Sequence, residues 1–172
     1  MHPTKPNAGG AFPVTTFPNL AGGTLTVGGA SDRWTLFVVY RGKHCPKCKT
    51  YLNSLETMKA DWDAAGFDII VTSADPEEKA DDDVAEFGWT FPLGHSMTED
   101  QMQAIGLYIS DPLSPQENDR RFAEPGTFCI SPEGIAQVVA ISNAPAARPD
   151  LADLLAGMKF TIENNRPPRG MA

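Results

Sequence analysis

Trp34-Thr35-Leu36-Phe37-Val38-Val39-Tyr40-Arg41-Gly42-Lys43-His44-Cys45-Pro46-Lys47-Cys48 contains both a strand and a helix start, and the junction between them decides the fold. Trp34 to Tyr40 is an apolar, β-rich run without alternation, the pattern of a strand covered on both faces. From Cys45 the spacing turns helical: Cys48, Leu52, Leu55, Met58 and Trp62 recur every three or four residues until Gly66 supplies a stop. Pro46 suits the first helical position, where a missing N–H costs nothing. Two thiols therefore stand where a buried strand gives way to a helix N-terminus, and Cys48 belongs to the buried stripe.

A thiol reacts as its thiolate, and a free cysteine is mostly protonated at neutral pH, so position matters. The helix N-terminus offers unpaired N–H groups and the positive end of the dipole to the Cys45 sulfur, which favours the anion. Arg41, Lys43, His44, Lys47 and Lys49 crowd the same stretch, and four of the 14 Lys and Arg residues fall between positions 41 and 49. This cluster is expected to lower the thiol pKa and to attract anionic substrates. Cysteines at i and i+3 face the same way and can close a disulfide. Cys45, expected to be accessible, would attack, and Cys48 would resolve. The same pair is half of a zinc site, and His44 or His95 would be needed for copper delivery; with no second paired-cysteine motif, redox chemistry is the stronger reading and no metal or cofactor is expected.

Working outward, Val14–Phe17 and Leu25–Val27 flank Gly22-Gly23 as a leading hairpin within a Gly- and Pro-rich extension over residues 1–30. Phe67–Ser73 reads as a second central strand. Asp75-Pro76-Glu77-Glu78 then supplies a capping residue, a helix-starting proline and acidic early positions for a helix to about Phe87. Asp81-Asp82-Asp83 reads as a solvated helix face. Thr98-Glu99-Asp100-Gln101 is a capping box for a short helix, whereas Ser110–Pro125 has no clear period. Thr127–Ser131 and Ile135–Ile141 flank the turn Pro132-Glu133-Gly134, Cys129 reads as a small buried hydrophobe, and a last helix carries Leu151, Leu154, Leu155, Met158 and Ile162. The expected architecture is α/β: a mixed sheet with parallel strands joined by helical crossovers and an antiparallel hairpin at one end.

At 172 residues, with 41% apolar and 21% charged residues, one domain over residues 1–172 is expected, with a flexible tail at 166–172. No run approaches the length of a membrane span, and the start, Met1-His2-Pro3-Thr4-Lys5-Pro6-Asn7, lacks the features of a secretory signal, so a cytoplasmic protein is expected. A net charge of -8 argues against nucleic acid as a partner. Three cysteines, two of them close together, fit a reactive pair in a reducing compartment better than a disulfide framework.

Phe37–Cys48, Val71-Thr72-Ser73-Ala74-Asp75-Pro76-Glu77 and Pro125-Gly126-Thr127-Phe128-Cys129-Ile130-Ser131-Pro132-Glu133-Gly134 resemble the peroxiredoxin-like alkyl hydroperoxide reductase and thiol-specific antioxidant (AhpC/TSA) family of the thioredoxin superfamily, over roughly residues 12–163. The resemblance implies a thioredoxin-like three-layer fold and an antioxidant thiol oxidoreductase that reduces a hydroperoxide or a disulfide. Its reductant would be a thioredoxin- or glutaredoxin-type protein or a small thiol, with a homodimer left open. It also implies Cys45 and Cys48 as catalytic, with Arg41, Gly42, Lys43, His44, Pro46, Lys47, Arg121 and Pro125 activating them or binding substrate; Pro125 is a candidate cis proline beside the cysteines. The family's hydroxyl residue three positions before the peroxidatic cysteine is Gly42 counting from Cys45, and Cys45 counting from Cys48. Pro125 stands where the family has an active-site arginine. A module that binds a partner, copper or zinc through the same dithiol is the alternative.

Overall fold

The computed structural model describes residues 5–172. Of the start, Met1–Asn7, that reads as free of a secretory signal, the first four residues lie outside the described residues. Twelve elements follow in order: β1 (Thr15–Pro18), β2 (Thr24–Val27), β3 (Trp34–Val39), α1 (Pro46–Ala64), β4 (Phe67–Thr72), α2 (Glu77–Phe87), α3 (Glu99–Ile105), β5 (Ile109–Ser110), β6 (Phe122–Ala123), β7 (Gly126–Ile130), β8 (Ala136–Ile141) and α4 (Leu151–Glu163). The central sheet has the order β4-β3-β7-β8. β3 runs parallel to β4 through the α1 crossover, Phe37 opposite Ile70, and antiparallel to β7, Phe37 opposite Phe128. β7 and β8 form the terminal hairpin. This is the mixed sheet expected from the element order.

Alternation along β3 explains its uniform apolarity. Leu36, Val38 and Tyr40 join Cys45, Cys48, Leu52, Leu55 and Trp62 of α1, with residues of α2 and α4, in one buried cluster. Phe37 and Val39 point the other way, into a second cluster with Phe12, Phe17, Val27, Met102, Ile105, Phe122 and Phe128. Each fully buried side chain of this size removes about 1.5–3 kcal/mol worth of apolar surface from water. The sheet is thus the middle of three layers, with α1, α2 and α4 on one face and the β1-β2 hairpin with α3 on the other.

Two local expectations are corrected. Asp75 does not cap α2: Pro76 is the N-cap, without a side-chain hydrogen bond, because the Asp75 carboxylate accepts the Lys43 backbone N–H at 2.6 Å instead. Ser110–Pro125 is not without strands, for β5 and β6 pair antiparallel across a long loop. Thr98 and Gln101 do form the reciprocal capping box of α3. Met171, in the terminal segment, lies against Gly9.

Candidate active site

β3 delivers the chain to Tyr40, and a tight turn then lifts it onto the N-terminus of α1. Gly42 allows the turn, with φ of +134°; a Cβ there would lie 2.7 Å from Asp75 Oδ2. Asp75 receives the next amide, Lys43 N–H, and Cys45 N–H donates to Gly42 O at 3.1 Å. Cys45 is thereby fixed as the N-cap of α1, in extended geometry, with Pro46 at the first helical position. Its sulfur accepts the Cys48 N–H at 3.3 Å, one of the amides the helix start leaves unpaired. Cys45 and Cys48 are joined by a disulfide, with their Cα atoms 5.3 Å apart.

Cys45 is only 2% exposed and Cys48 fully buried, which differs from the accessible leading sulfur expected from sequence. In the disulfide the Cys45 sulfur is turned inward to its partner and to the helix amide, while Pro46 and Lys47 present the exposed surface.

The basic cluster is largely neutralised, again unlike the expectation. Arg41 Nε lies 3.1 Å from Glu124 and its Nη2 3.8 Å from Glu117; Lys43 meets Asp82 at 2.5 Å, and Lys49 lies 3.7 Å from Asp83. An acidic chain supplies a carboxylate to almost every cation around the pair, and such pairing cancels most of a local field. Among the described residues, Lys47 alone of these four cations has no carboxylate within ion-pair distance. The half-buried His44 ring packs on Phe122 at 4.5 Å, both nitrogens lack partners among the described residues, and burial lowers its pKa, which favours the neutral ring.

The cation that does touch sulfur is Arg148, which the sequence reading missed. Its Nη2 donates to Cys48 Sγ at 2.7 Å from the loop before α4, and its guanidinium stacks 5.1 Å from the Tyr51 ring centre. Burial lowers the Arg148 pKa from its usual value, so the group gains from an anionic neighbour. Tyr51 donates to Pro149 O at 2.8 Å, which ties that loop to α1. Burial raises the Tyr51 phenol, against the opposing effects of Thr127 and Arg148. A signal existed: Arg148 is the one basic residue between Arg121 and Lys159, just ahead of the capping residue Asp150.

Arg121 is not brought to the dithiol. Its guanidinium bonds Asp111 at 2.7 Å and Glu99 of α3 at 3.4 Å, on the opposite layer from α1. Pro125 is buried beside β7, and its peptide bond is trans, as are all among the described residues. Glu124, next to it, is buried and accepts the Ser110 hydroxyl at 2.7 Å. Cys129 shares the dithiol's cluster, and burial pushes its thiol well up. Asp83 is buried rather than solvated, and His95 is buried with Nδ1 2.9 Å from the Ser96 hydroxyl. Among the described residues no group of three or more His, Cys, Asp or Glu is placed to hold a metal ion, and no helix is long and apolar enough to cross a membrane. Chemically, the arrangement is a dithiol whose two sulfurs carry different anion-stabilising partners, a helix amide on one and a guanidinium on the other.

Residues 8–139 match the AhpC/TSA family. The chain belongs to that family. It is similar in structure to a peroxiredoxin-like protein from Aquifex aeolicus (TM-score 0.78, 17% identity, covering 92% of this chain and 90% of that one). Similar too are Mycobacterium tuberculosis AhpC (TM-score 0.73, 17%, 95% and 96%) and the peroxidoxin BcpB from Mycobacterium tuberculosis (TM-score 0.72, 15%, 91% and 98%). No curated protein sequence matches the chain. The fold is the thioredoxin-like α/β architecture of these proteins, and membership of the AhpC/TSA family makes the chain a peroxiredoxin-like thiol oxidoreductase. Peroxide as oxidant and a thiol as reductant are the partner classes that go with it.

Proposed function

We propose that Cys45 and Cys48, within a single redox domain over residues 1–172, cycle between dithiol and disulfide to reduce a hydroperoxide, or in the same manner a protein disulfide. The observation that carries this reading is the pairing of the two sulfurs at the N-terminus of α1 with Arg148 on Cys48. The Cys45 thiolate attacks the outer peroxide oxygen; the O–O bond breaks, and a proton from solvent turns the alkoxide into alcohol. Cys45 is left as a sulfenic acid, which the Cys48 thiol displaces to give the disulfide and water. A thioredoxin- or glutaredoxin-type dithiol, or two equivalents of a small thiol, then returns two electrons and two protons. The cysteine pair carries the electrons, so no metal or prosthetic group enters the cycle. Gly42, Pro46 and His44 position the Cys45 turn, Lys47 meets the incoming anion, and Arg41 and Lys43 act through their ion pairs. The cytoplasm is the compartment that keeps such a pair reduced between turnovers, and a homodimer is compatible with the reading.

A reversed assignment has a specific observation in its favour: Arg148 donates to Cys48, so Cys48 would attack peroxide and Cys45 resolve. Free thiols counted after stoichiometric hydrogen peroxide, with sulfenic acid trapped by a cyclic dione, separate the two. The first assignment expects fast loss of two thiols in the native chain, trapped sulfenic acid at Cys45 in Cys48→Ser, and no reaction in Cys45→Ser. The converse pattern assigns attack to Cys48, and a native chain that keeps both thiols sinks the proposal.

A further inference from the structure

On the α2 side of the dithiol, buried polar groups are gathered without partners among the described residues. Asp83 is 0% exposed, and neither carboxylate oxygen accepts a hydrogen bond from the described residues. Its nearest cation, Lys49 Nζ, is 3.7 Å away, beyond hydrogen-bond length. The Tyr40 hydroxyl is buried with no hydrogen bond of acceptable geometry among the described residues, and one oxygen of Asp75 is likewise unpartnered there. Such groups are costly in an apolar core and are normally satisfied by protein or by internal water.

Their placement brackets the cysteines. Lys49, which holds Asp83 from α1, directly follows Cys48; Asp75 receives the amide two residues before Cys45. Ala80, one turn before Asp83 on α2, lies in the same buried cluster as Tyr40, Cys45 and Cys48. Arg148 approaches the pair from the loop before α4, so acid and base reach it from different elements.

We infer that Asp83, acting through water held among Tyr40, Asp75 and Lys49, is the internal proton acceptor for disulfide closure, an inference that rests on the dithiol cycle proposed above. Closure strips the proton from the second thiol while its sulfur displaces hydroxide from the sulfenic acid. Asp83 holds that proton as the S–S bond forms and passes it to the departing hydroxide, so that water leaves and the carboxylate is restored. The groups facing Asp83 are Lys49 from α1, Lys43 from the loop after β3, Asp75 from the turn after β4, Tyr40 from the end of β3, and Glu86 on α2 itself. Burial outweighs the Lys49 charge and holds the acid up at about 6, inside the range where a carboxylate exchanges protons near neutral pH.

The test uses an aromatic disulfide reagent that releases a coloured thiolate twice, once when the first thiol attacks and again when the second closes the ring. In the native chain the second release is expected to rise with pH through an inflection near 6, separate from thiol ionisation. Asp83→Asn is expected to leave the extent of the first release intact, slow the second about a hundredfold at neutral pH and lose the inflection. Lys49→Met removes the charge that lowers the acid's pKa, so the inflection is expected at higher pH, a shift that loss of packing alone would not produce. If Asp83→Asn does not fold, the Lys49→Met shift and the infrared band of a protonated carboxyl in the native chain decide the matter. An Asn variant with native closure rates and inflection, or a Lys49→Met inflection that does not move, overturns the inference. A native chain that releases no colour at all sinks the dithiol cycle itself.

Discussion

Arg148 shows how one side chain sets the chemistry of another. Its guanidinium is half-buried, loses hydration, and is compensated by Pro145 O, which accepts from Nη1, and by the Cys48 sulfur at 2.7 Å from Nη2. A charge-assisted contact of this kind favours thiolate over thiol. Arg148→Met keeps the packing on Tyr51 and removes the donor. It is expected to raise the Cys48 pKa by about one unit or more, equivalent to at least about 1.4 kcal/mol of lost thiolate stabilisation. Thiolate absorbance against pH in the Cys45→Ser background measures it, and an unmoved titration would separate Arg148 from the sulfur's ionisation. Gly42 sets the geometry from the other side. With φ of +134° and Asp75 oxygens 2.7–2.8 Å from a would-be Cβ, Gly42→Ala must strain the turn and push away the carboxylate that holds Lys43 N–H. The expected cost is about 2–3 kcal/mol, read from urea midpoints of the oxidised proteins, and a loss under half of that would show that the turn relaxes freely.

Elements whose residues answer to their own period were legible. β3 declared itself by being apolar on both faces, and α1 by its stripe and by Pro46, because local pattern and tertiary environment agree there. Phe37 lies at the centre of that agreement, against Phe12, Phe17 and Phe128 with ring centres 5.8–6.0 Å away. Phe37→Ala is expected to cost about 3–5 kcal/mol by denaturant unfolding, and a loss below about 1 kcal/mol would mean that this layer is not packed as described. What stayed illegible depends on partners distant in the chain. The acidic run at 81–83 looks uniform, yet Asp82 meets Lys43 on the surface while Asp83 is buried, because α2 turns one face to α1. The 111–121 loop lacks a period since side chains hold it: Lys79 bonds Asn118 and Asp119, Glu117 accepts Leu113 N–H, and Arg41 faces Glu117. The dithiol itself was visible in the sequence, but its electrostatic surroundings were not, for a count of nearby lysines and arginines says nothing of the carboxylates the fold sets against them.

Across the whole molecule the net charge of -8 is distributed so that most carboxylates are exposed or paired, while Asp83 is fully buried with a large upward shift. Its effect on stability has a definite sign. Well below the ordinary value of 3.8 the acid is protonated in both folded and unfolded chains and contributes nothing. Between the ordinary value of 3.8 and the folded value of about 6, the unfolded chain releases the proton first, so stability is lost as pH rises. The difference of about two units corresponds to a loss of about 3 kcal/mol, complete above pH 6. Asp75, also raised by burial, acts in the same direction; His44, lowered by burial, opposes the two acids as pH falls below its ordinary 6.5, and Asp119, held low by Arg120 and Lys79, loses its contribution only on further acidification. Urea unfolding of the oxidised protein at pH 4.5 and pH 7 is therefore expected to find the chain more stable at the lower pH. Oxidation keeps the two site thiols out of the titration. Asp83→Asn, nearly the same size and uncharged, is expected to lose most of that difference and to exceed the native chain in stability at pH 7, even with Lys49 deprived of its partner, since Lys49 remains partly solvated. Equal pH dependence in the two proteins would show that the buried carboxylate is solvated well enough to ionise at its ordinary pH, and would place the origin of any acid stabilisation elsewhere in the fold.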